Sequence, residues 1–272
     1  MSIQAGDFKY IRDLVCEHAA IVLDAGKEYL VESRLEPILR SEGFSDMSDL
    51  VLHLQSYAGA HLKVKVTEAL TTNETFFFRD IYPFDALREV VLPRLIENRR
   101  PEMRLNIWCG ASSTGQEPYC IAMLLRDLVP NINNWTINFV ASDLSKEVLD
   151  RARKGRYSQL EVNRGLPPSY LAAHFHPFNG EWQISDEIRR MVDFRQINLK
   201  DDIHQLFQWD IVFMRNVLIY FDATTKTRIL NRIGQMMRHD GYLFLGAAET
   251  TAFLTDAFNR ISVGKTTCYQ PI

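Results

Sequence analysis

No stretch of this chain is apolar for long. Its apolar runs, such as Cys120 to Leu125, fall far short of the ~20 residues that cross a bilayer, so direct membrane insertion is not expected. The first ten residues, MSIQAGDFKY, carry Asp7 and no apolar signal core, and a cytoplasmic protein is expected. Cysteine is scarce and scattered: Cys16, Cys109, Cys120 and Cys268 form no CxxC pair and have no histidine at ligand spacing. A zinc site, or any metal centre, is therefore not expected, and buried structural thiols are the default. A basic excess is missing too, the net charge being −3 and the isoelectric point near 6.2. Nucleic acid, whose phosphates demand clustered Lys and Arg, is not an expected partner.

What is present is ordinary globular material. With 46% hydrophobic and 24% charged residues, 272 residues suffice for one large domain or two modest ones. Residues 1–70 carry apolar positions at helical spacing: Phe8, Ile11, Leu14 and Val15, then Tyr29, Leu30, Leu35, Ile38 and Leu39, then Leu50, Leu54 and Tyr57. Pro37 marks either a helix start or a kink, and Gly43 is the expected stop. Residues 71–101 read as a linker with helices. Thr71 stands three residues before Glu74, the spacing of a capping box. A helix begun there would put Thr75 and Arg79 on one face. Pro83 should start a further helix carrying Phe84, Leu87, Val91 and Leu95.

From residue 102 the texture changes to strands alternating with amphipathic helices: RLNIWCG, EPYCIAMLLRDLV, TINFVASD, KEVLDRARKG, then VDFRQIN, WDIVFMRN, a helix near residues 223–238, and YLFLGA. This alternation predicts a mostly parallel, doubly wound α/β sheet. The ending, RISVGKTTCYQPI, reads as one last antiparallel strand. Residues 157–191, with Pro167, Pro168, Pro177 and the polar stretch EWQIS, read as a small inserted subdomain.

Chemistry concentrates after the first strand. Gly110, Ala111, Ser112, Ser113, Thr114 and Gly115 leave the backbone nearly bare, which suits either close approach of a ligand or a tight packing turn. The glycine spacing imitates a phosphate loop, but Gln116 and Glu117 stand where that motif needs Lys and Ser or Thr. Glu117 suits a cation such as an ammonium group. Asp143 ends the second strand and could take both hydroxyls of a ribose or cap the next helix. Two carboxylates without a phosphate-binding lysine point to S-adenosylmethionine rather than NAD or ATP. Asn198 and Asn216, at two further strand ends, are either turn residues or hydrogen-bond partners of the cofactor.

NETFFFR after Thr71 and Thr72, WCGASSTGQEPY, ASDLS, INL and RNVLIYFD, in this order and spacing, resemble the CheR family of chemotaxis receptor glutamate methyltransferases along nearly the whole chain. The resemblance implies an all-helical front domain (1–70), a linker (71–101), and a Rossmann-like methyltransferase domain (102–272) bearing an antiparallel β subdomain (157–191). It implies methyl transfer from S-adenosylmethionine to glutamate side chains on receptor cytoplasmic domains, leaving S-adenosylhomocysteine. Asn73, Thr75, Arg79, Glu117, Asp143, Asn198, Leu199, Asn216 and Val217 would line the cofactor pocket. Arg79 and Tyr220 would lie at the reacting centre. Arg79 would clamp the methionine carboxylate or orient the incoming glutamate; Tyr220 would bond the nucleophile or pack on the cofactor.

Two departures from the family pattern stand out. Relatives usually follow the strand near Leu245 with Gly-His-Ser-Glu, where this chain has Gly246, Ala247, Ala248 and Glu249. Some relatives present a basic front helix to receptors, whereas residues 1–70 here hold more acids than bases, leaving Arg34 and Arg40 as candidate receptor contacts. The short loop at Phe178, Asn179, Gly180 and Glu181 lacks the Gly-x-Gly that accompanies binding of a receptor tether, so independence from a tether is expected. The competing readings are a methyltransferase for another substrate and a non-catalytic adaptor with the same fold.

Overall fold

The structure, a computed structural model, describes residues 3–56, 59–201 and 207–272. Four helices, α1 (Ala5–Ala19), α2 (Glu28–Glu42), α3 (Met47–Gln55) and α4 (Ala60–Ala69), pack their apolar faces into one core around Ile11, Leu35, Leu50, Leu54 and Val66. Asp46 caps α3 by accepting the Asp49 N–H at 2.9 Å, offsetting one orphan donor of its first turn. Gly43 ends α2 at φ +79°, its N–H bonded to the Leu39 carbonyl. Pro37 lies well inside α2 and does not start it, and Tyr29 is 70% exposed and off the apolar face. Tyr57 lies outside the described residues.

Residues 71–79 are not helical, contrary to the capping-box reading. The Thr71 hydroxyl donates back to the Glu68 carbonyl at 2.7 Å, and Glu74 pairs with Arg164 at 2.6 Å, so neither partner of the box serves it. The segment runs extended because its aromatics are captured elsewhere. Phe77 meets Tyr157 and Phe175 edge-on, with centroids 5.0 and 5.7 Å apart, and Phe78 meets Phe84 and Tyr170. Helix resumes at α5 (Tyr82–Ala86), with Pro83 in its first turn, widens to a π-turn over Leu87–Val91, and continues as α6 (Leu92–Arg99). The wide turn accommodates Pro93, which has no N–H to offer the preceding turn.

The main sheet has the order β6-β2-β1-β7-β8-β10-β9. Strands β1 (Arg104–Gly110), β2 (Thr136–Asp143), β6 (Asp193–Gln196), β7 (Trp209–Met214) and β8 (Met237–Leu245) are parallel. Helices α7 (Gln116–Leu128), α8 (Lys146–Lys154) and α12 (Ala223–Met236) connect them. The ending is two strands, not one: β9 (Phe258–Val263) turns at Gly264 into β10 (Thr266–Pro271), and β10 pairs antiparallel with β8. The insertion folds as an antiparallel sheet of order β3-β5-β4, formed by β3 (Arg156–Tyr157), β4 (Phe175–Phe178) and β5 (Glu181–Ile184). Short helices α9 (Gln159–Asn163), α10 (Pro168–His174) and α11 (Asp186–Arg189) flank it. The chain reverses its direction of travel across the sheet between β1 and β7. Ligand clefts of open α/β sheets form at such a switch, beyond the carboxyl ends of the strands.

Candidate active-site cleft

The loop after β1 needs its glycines. A Cβ on Gly110 would sit 2.4 Å from the Met214 methyl carbon, and Gly115 holds φ +95° with Ala152 and Tyr157 crowding its Cα. The Tyr157 hydroxyl, fully buried, donates to the Thr114 carbonyl at 2.8 Å, so the inserted subdomain braces the loop. Asp143, 7% exposed, accepts the Ser113 N–H at 2.8 Å on one oxygen and the Ser145 N–H at 3.0 Å on the other. The helix cap itself is Ser145, not Asp143. Burial raises the Asp143 carboxyl above the ordinary aspartate range, and the backbone N–H donors only partly offset it.

One cleft is lined by Asn73, Thr75, Arg79, Glu117, Asp143, Asn198, Leu199, Asn216, Val217 and Tyr220 together. Ala19, the last residue of α1, and Ile21 just past it form part of its wall. Ile21 bridges Phe221, and the Val22 N–H donates to the Tyr220 carbonyl at 2.9 Å. Asn198 donates to the His18 carbonyl at 2.7 Å, occupying a free carbonyl of the α1 end. Tyr220 is only partly buried. Arg79 donates to the Glu74 carbonyl at 3.1 Å and stands 5.6 Å from the Phe76 ring.

Arg34 and Arg40 lie away from the cleft lining. Arg34 is a strut: it donates to the carbonyls of Leu70 at 2.9 Å and Thr71 at 2.5 Å and to the Thr72 hydroxyl at 3.1 Å. Those bonds take three of the five N–H donors of the guanidinium. Arg40 is exposed and pairs with Glu36 one turn earlier.

Two residues that shape the cleft, only the first of them in its lining, have no role assignable from sequence. Arg215, its side chain 1% exposed, pairs with Glu117 and with Asp80 at 2.6 Å and donates to the Arg79 carbonyl at 3.0 Å. It registers the extended segment against the bare loop. An arginine directly after the largely apolar strand WDIVFM is the available signal. Glu249, the acid left in Gly-Ala-Ala-Glu, gathers backbone N–H groups: Asn216 at 2.7 Å, Gly246 at 2.6 Å, Val217 at 2.9 Å and Leu218 at 2.7 Å. This anchor holds Asn216 at φ +57°, a conformation asparagine tolerates.

The donor set has room for a ligand bearing N–H and O–H groups. Asn216 Oδ1 is buried with no hydrogen-bond partner. Glu117 Oε1 meets only the Cys109 thiol, at 3.5 Å, a weak donor kept protonated by burial. Among the described residues no group of three His, Cys, Asp or Glu side chains is placed to hold a metal ion, and no helix is long and apolar enough to cross a membrane.

Comparison with known proteins decides what such a cleft is for. The family described as "CheR methyltransferase, SAM binding domain" matches residues 73–267, and "CheR methyltransferase, all-alpha domain" matches residues 6–71. The chain belongs to the CheR methyltransferase family. Similar CheR proteins include chemotaxis protein methyltransferase Cher2 of Pseudomonas putida, 39% identical with 97% of each chain covered. Chemotaxis protein methyltransferase 1 of Pseudomonas aeruginosa is 39% identical over 99% of both chains. The Vibrio cholerae protein of that same description is 39% identical, covering 89% of this chain and 88% of its own. This CheR protein is thus an S-adenosylmethionine-dependent methyltransferase of chemotaxis.

Proposed function

We propose that the enzyme methylates glutamate side chains on the cytoplasmic domains of chemotaxis receptors, forming methyl esters. The observation carrying this reading is that Arg79, a carboxylate-recognising side chain, shares one cleft with Glu117, Asp143 and Tyr220. A glutamate side chain, with an ordinary pKa of ~4.3, arrives already ionised, so no general base is required. When bound, S-adenosylmethionine supplies an activated methyl on a sulfonium that leaves as a neutral thioether.

The protein's own residues then have to bind and align. Asp143 accepts from ribose hydroxyls. Glu117, fixed on one oxygen by Arg215, offers the other to the ammonium group. Asn216 Oδ1 accepts at the base or the amino-acid end, where Asn198 can also bond, and Leu199 and Val217 give apolar contact. Asn73 and Thr75 close the cleft from the extended segment. Arg79 orients the incoming carboxylate with a hold loose enough to preserve its nucleophilicity, and Tyr220 flanks the nucleophile. In this reading residues 1–70 are a wall of the cleft as well as a front domain, and the exposed Arg40 is held by Glu36 on its own helix. The Asn179-Gly180 turn, with φ +48° and +82°, joins β4 to β5 in two residues, which supports action without a receptor tether.

The test is transfer of tritiated methyl from S-adenosylmethionine to purified receptor cytoplasmic domains. Base-labile label is expected with the native protein, and a loss of at least tenfold with Asp143→Ala and with Arg79→Ala. Base-stable label, or none on any receptor tried, would refute the glutamate-ester reading.

A further inference from the structure

Beside the cofactor cleft, on the far side of Arg215, lies a second groove. One wall is the 80–83 segment; the other is the turn after β8 and the β9–β10 hairpin. Arg215 lines both cavities. Its charged groups divide into an inner set bound up within the protein and an outer set that is cationic. Of its acids, Asp80 is paired with Arg215 at 2.6 Å, and Glu249 is committed to the backbone N–H groups of residues 216–218 and 246. Its outer cations have no carboxylate partner among the described residues. Arg260 reaches only the Thr267 hydroxyl at 3.4 Å, and Lys265 stands 5.6 Å from the Tyr82 ring. Both are exposed.

The rim is apolar and open. Tyr82 is 49% exposed, and the exposed Ala247 and Ala248 add little bulk beside it. The helical front unit offers the opposite character. Residues 1–70 contain eleven acids against seven bases, and Arg34 is turned onto the carbonyls of Leu70 and Thr71. A substrate segment rich in glutamate is repelled by that unit and attracted here, and like-charge contact is costly enough to redirect docking.

We infer that this groove is the docking surface for the acidic helical segment of the receptor that carries the target glutamate, with Lys265 and Arg260 reading carboxylates that flank the one entering the cleft. The inference rests on the receptor-glutamate reading above and adds where the substrate lies. Tyr82 covers the apolar side of the bound helix. Ala247 and Ala248 leave the space a helix needs.

The experiment measures binding of a fluorescent receptor cytoplasmic domain to the full-length protein loaded with S-adenosylhomocysteine, by anisotropy, for native, Lys265→Glu/Arg260→Glu, Ala248→Trp and Arg40→Glu proteins. The double reversal is expected to weaken receptor binding about tenfold or more, a few kcal/mol being typical for reversed interfacial charges, while the calorimetric affinity for S-adenosylhomocysteine stays within about twofold. Ala248→Trp, which fills the groove without changing charge, should give a comparable loss. Arg40→Glu should bind as native does, and the affinity of both should fall steeply with salt, that of the double reversal far less. Native-like receptor binding by the double reversal and by Ala248→Trp, or an equal loss in Arg40→Glu, would overturn the groove. A native protein that methylates receptors while its reversal variant binds normally sinks the groove alone. A native protein that labels no receptor sinks both readings.

Discussion

Replacing Glu249 by glutamine changes no charge on the cleft surface that a ligand touches, yet it should cripple cofactor binding. Its carboxylate accepts from Asn216 and Gly246 on Oε2 and from Val217 and Leu218 on Oε1, with Ile219 more distant at 3.4 Å. A glutamine amide keeps one accepting oxygen. Whichever end its NH2 takes, two backbone donors then face a donor. A buried donor without an acceptor costs about 1–3 kcal/mol, so the turn is destabilised by roughly 2–6 kcal/mol and opens to relieve it. Asn216, held at φ +57° by these bonds, loses its fixed position. If about 2 kcal/mol of that cost is charged against binding, affinity falls roughly 30-fold. Calorimetric titration with S-adenosylhomocysteine, alongside urea unfolding, measures both effects. Affinity within twofold of native, with unchanged unfolding free energy, would show that the anchor is dispensable and the reasoning wrong.

Burial holds the Asp143 carboxyl above its ordinary range, and only the ionised form accepts from two hydroxyls. Cofactor affinity should therefore be full at neutral pH and fall on acidification through a pH higher than a free aspartate would give; Asp143→Asn should bind weakly with a flat profile, and an unchanged profile would count against this assignment. Arg215→Met should weaken S-adenosylhomocysteine at least tenfold but 5′-methylthioadenosine, which lacks the amino-acid end, less than about twofold, because Arg215 acts through Glu117; equal losses would mean it merely supports the fold. A peptide matching a receptor C-terminal tail should give no heat on titration into the protein, and micromolar binding would contradict tether independence.

Much of the main sheet was legible because its signals are local. The strands RLNIWCG and TINFVASD appear as β1 and β2 with the same ends, since buried parallel strands read as short apolar runs bounded by turns. The bare loop and Asp143 were legible as well, as glycine spacing and a strand-end acid. What escaped depends on distant partners. Thr71 and Glu74 have the spacing of a helix start, but Arg164, ninety positions away, takes the glutamate. Arg215 and Glu117 are separated by 98 positions and Glu249 and Asn216 by 33; no periodicity announces such pairs. The β9 strand was half read because the Gly264 turn was taken as strand interior.

The β-bridge between Ile21 and Phe221, with the Val22 bond to the Tyr220 carbonyl, has a bearing on how this enzyme can be re-engineered. A chimaera that borrows its first seventy residues from another species would import a new lining for the cleft and a new tether on Tyr220. Methyl-donor affinity would then drift with the choice of front module. Exchange of front modules therefore calls for leaving the stretch from His18 to Val22 native.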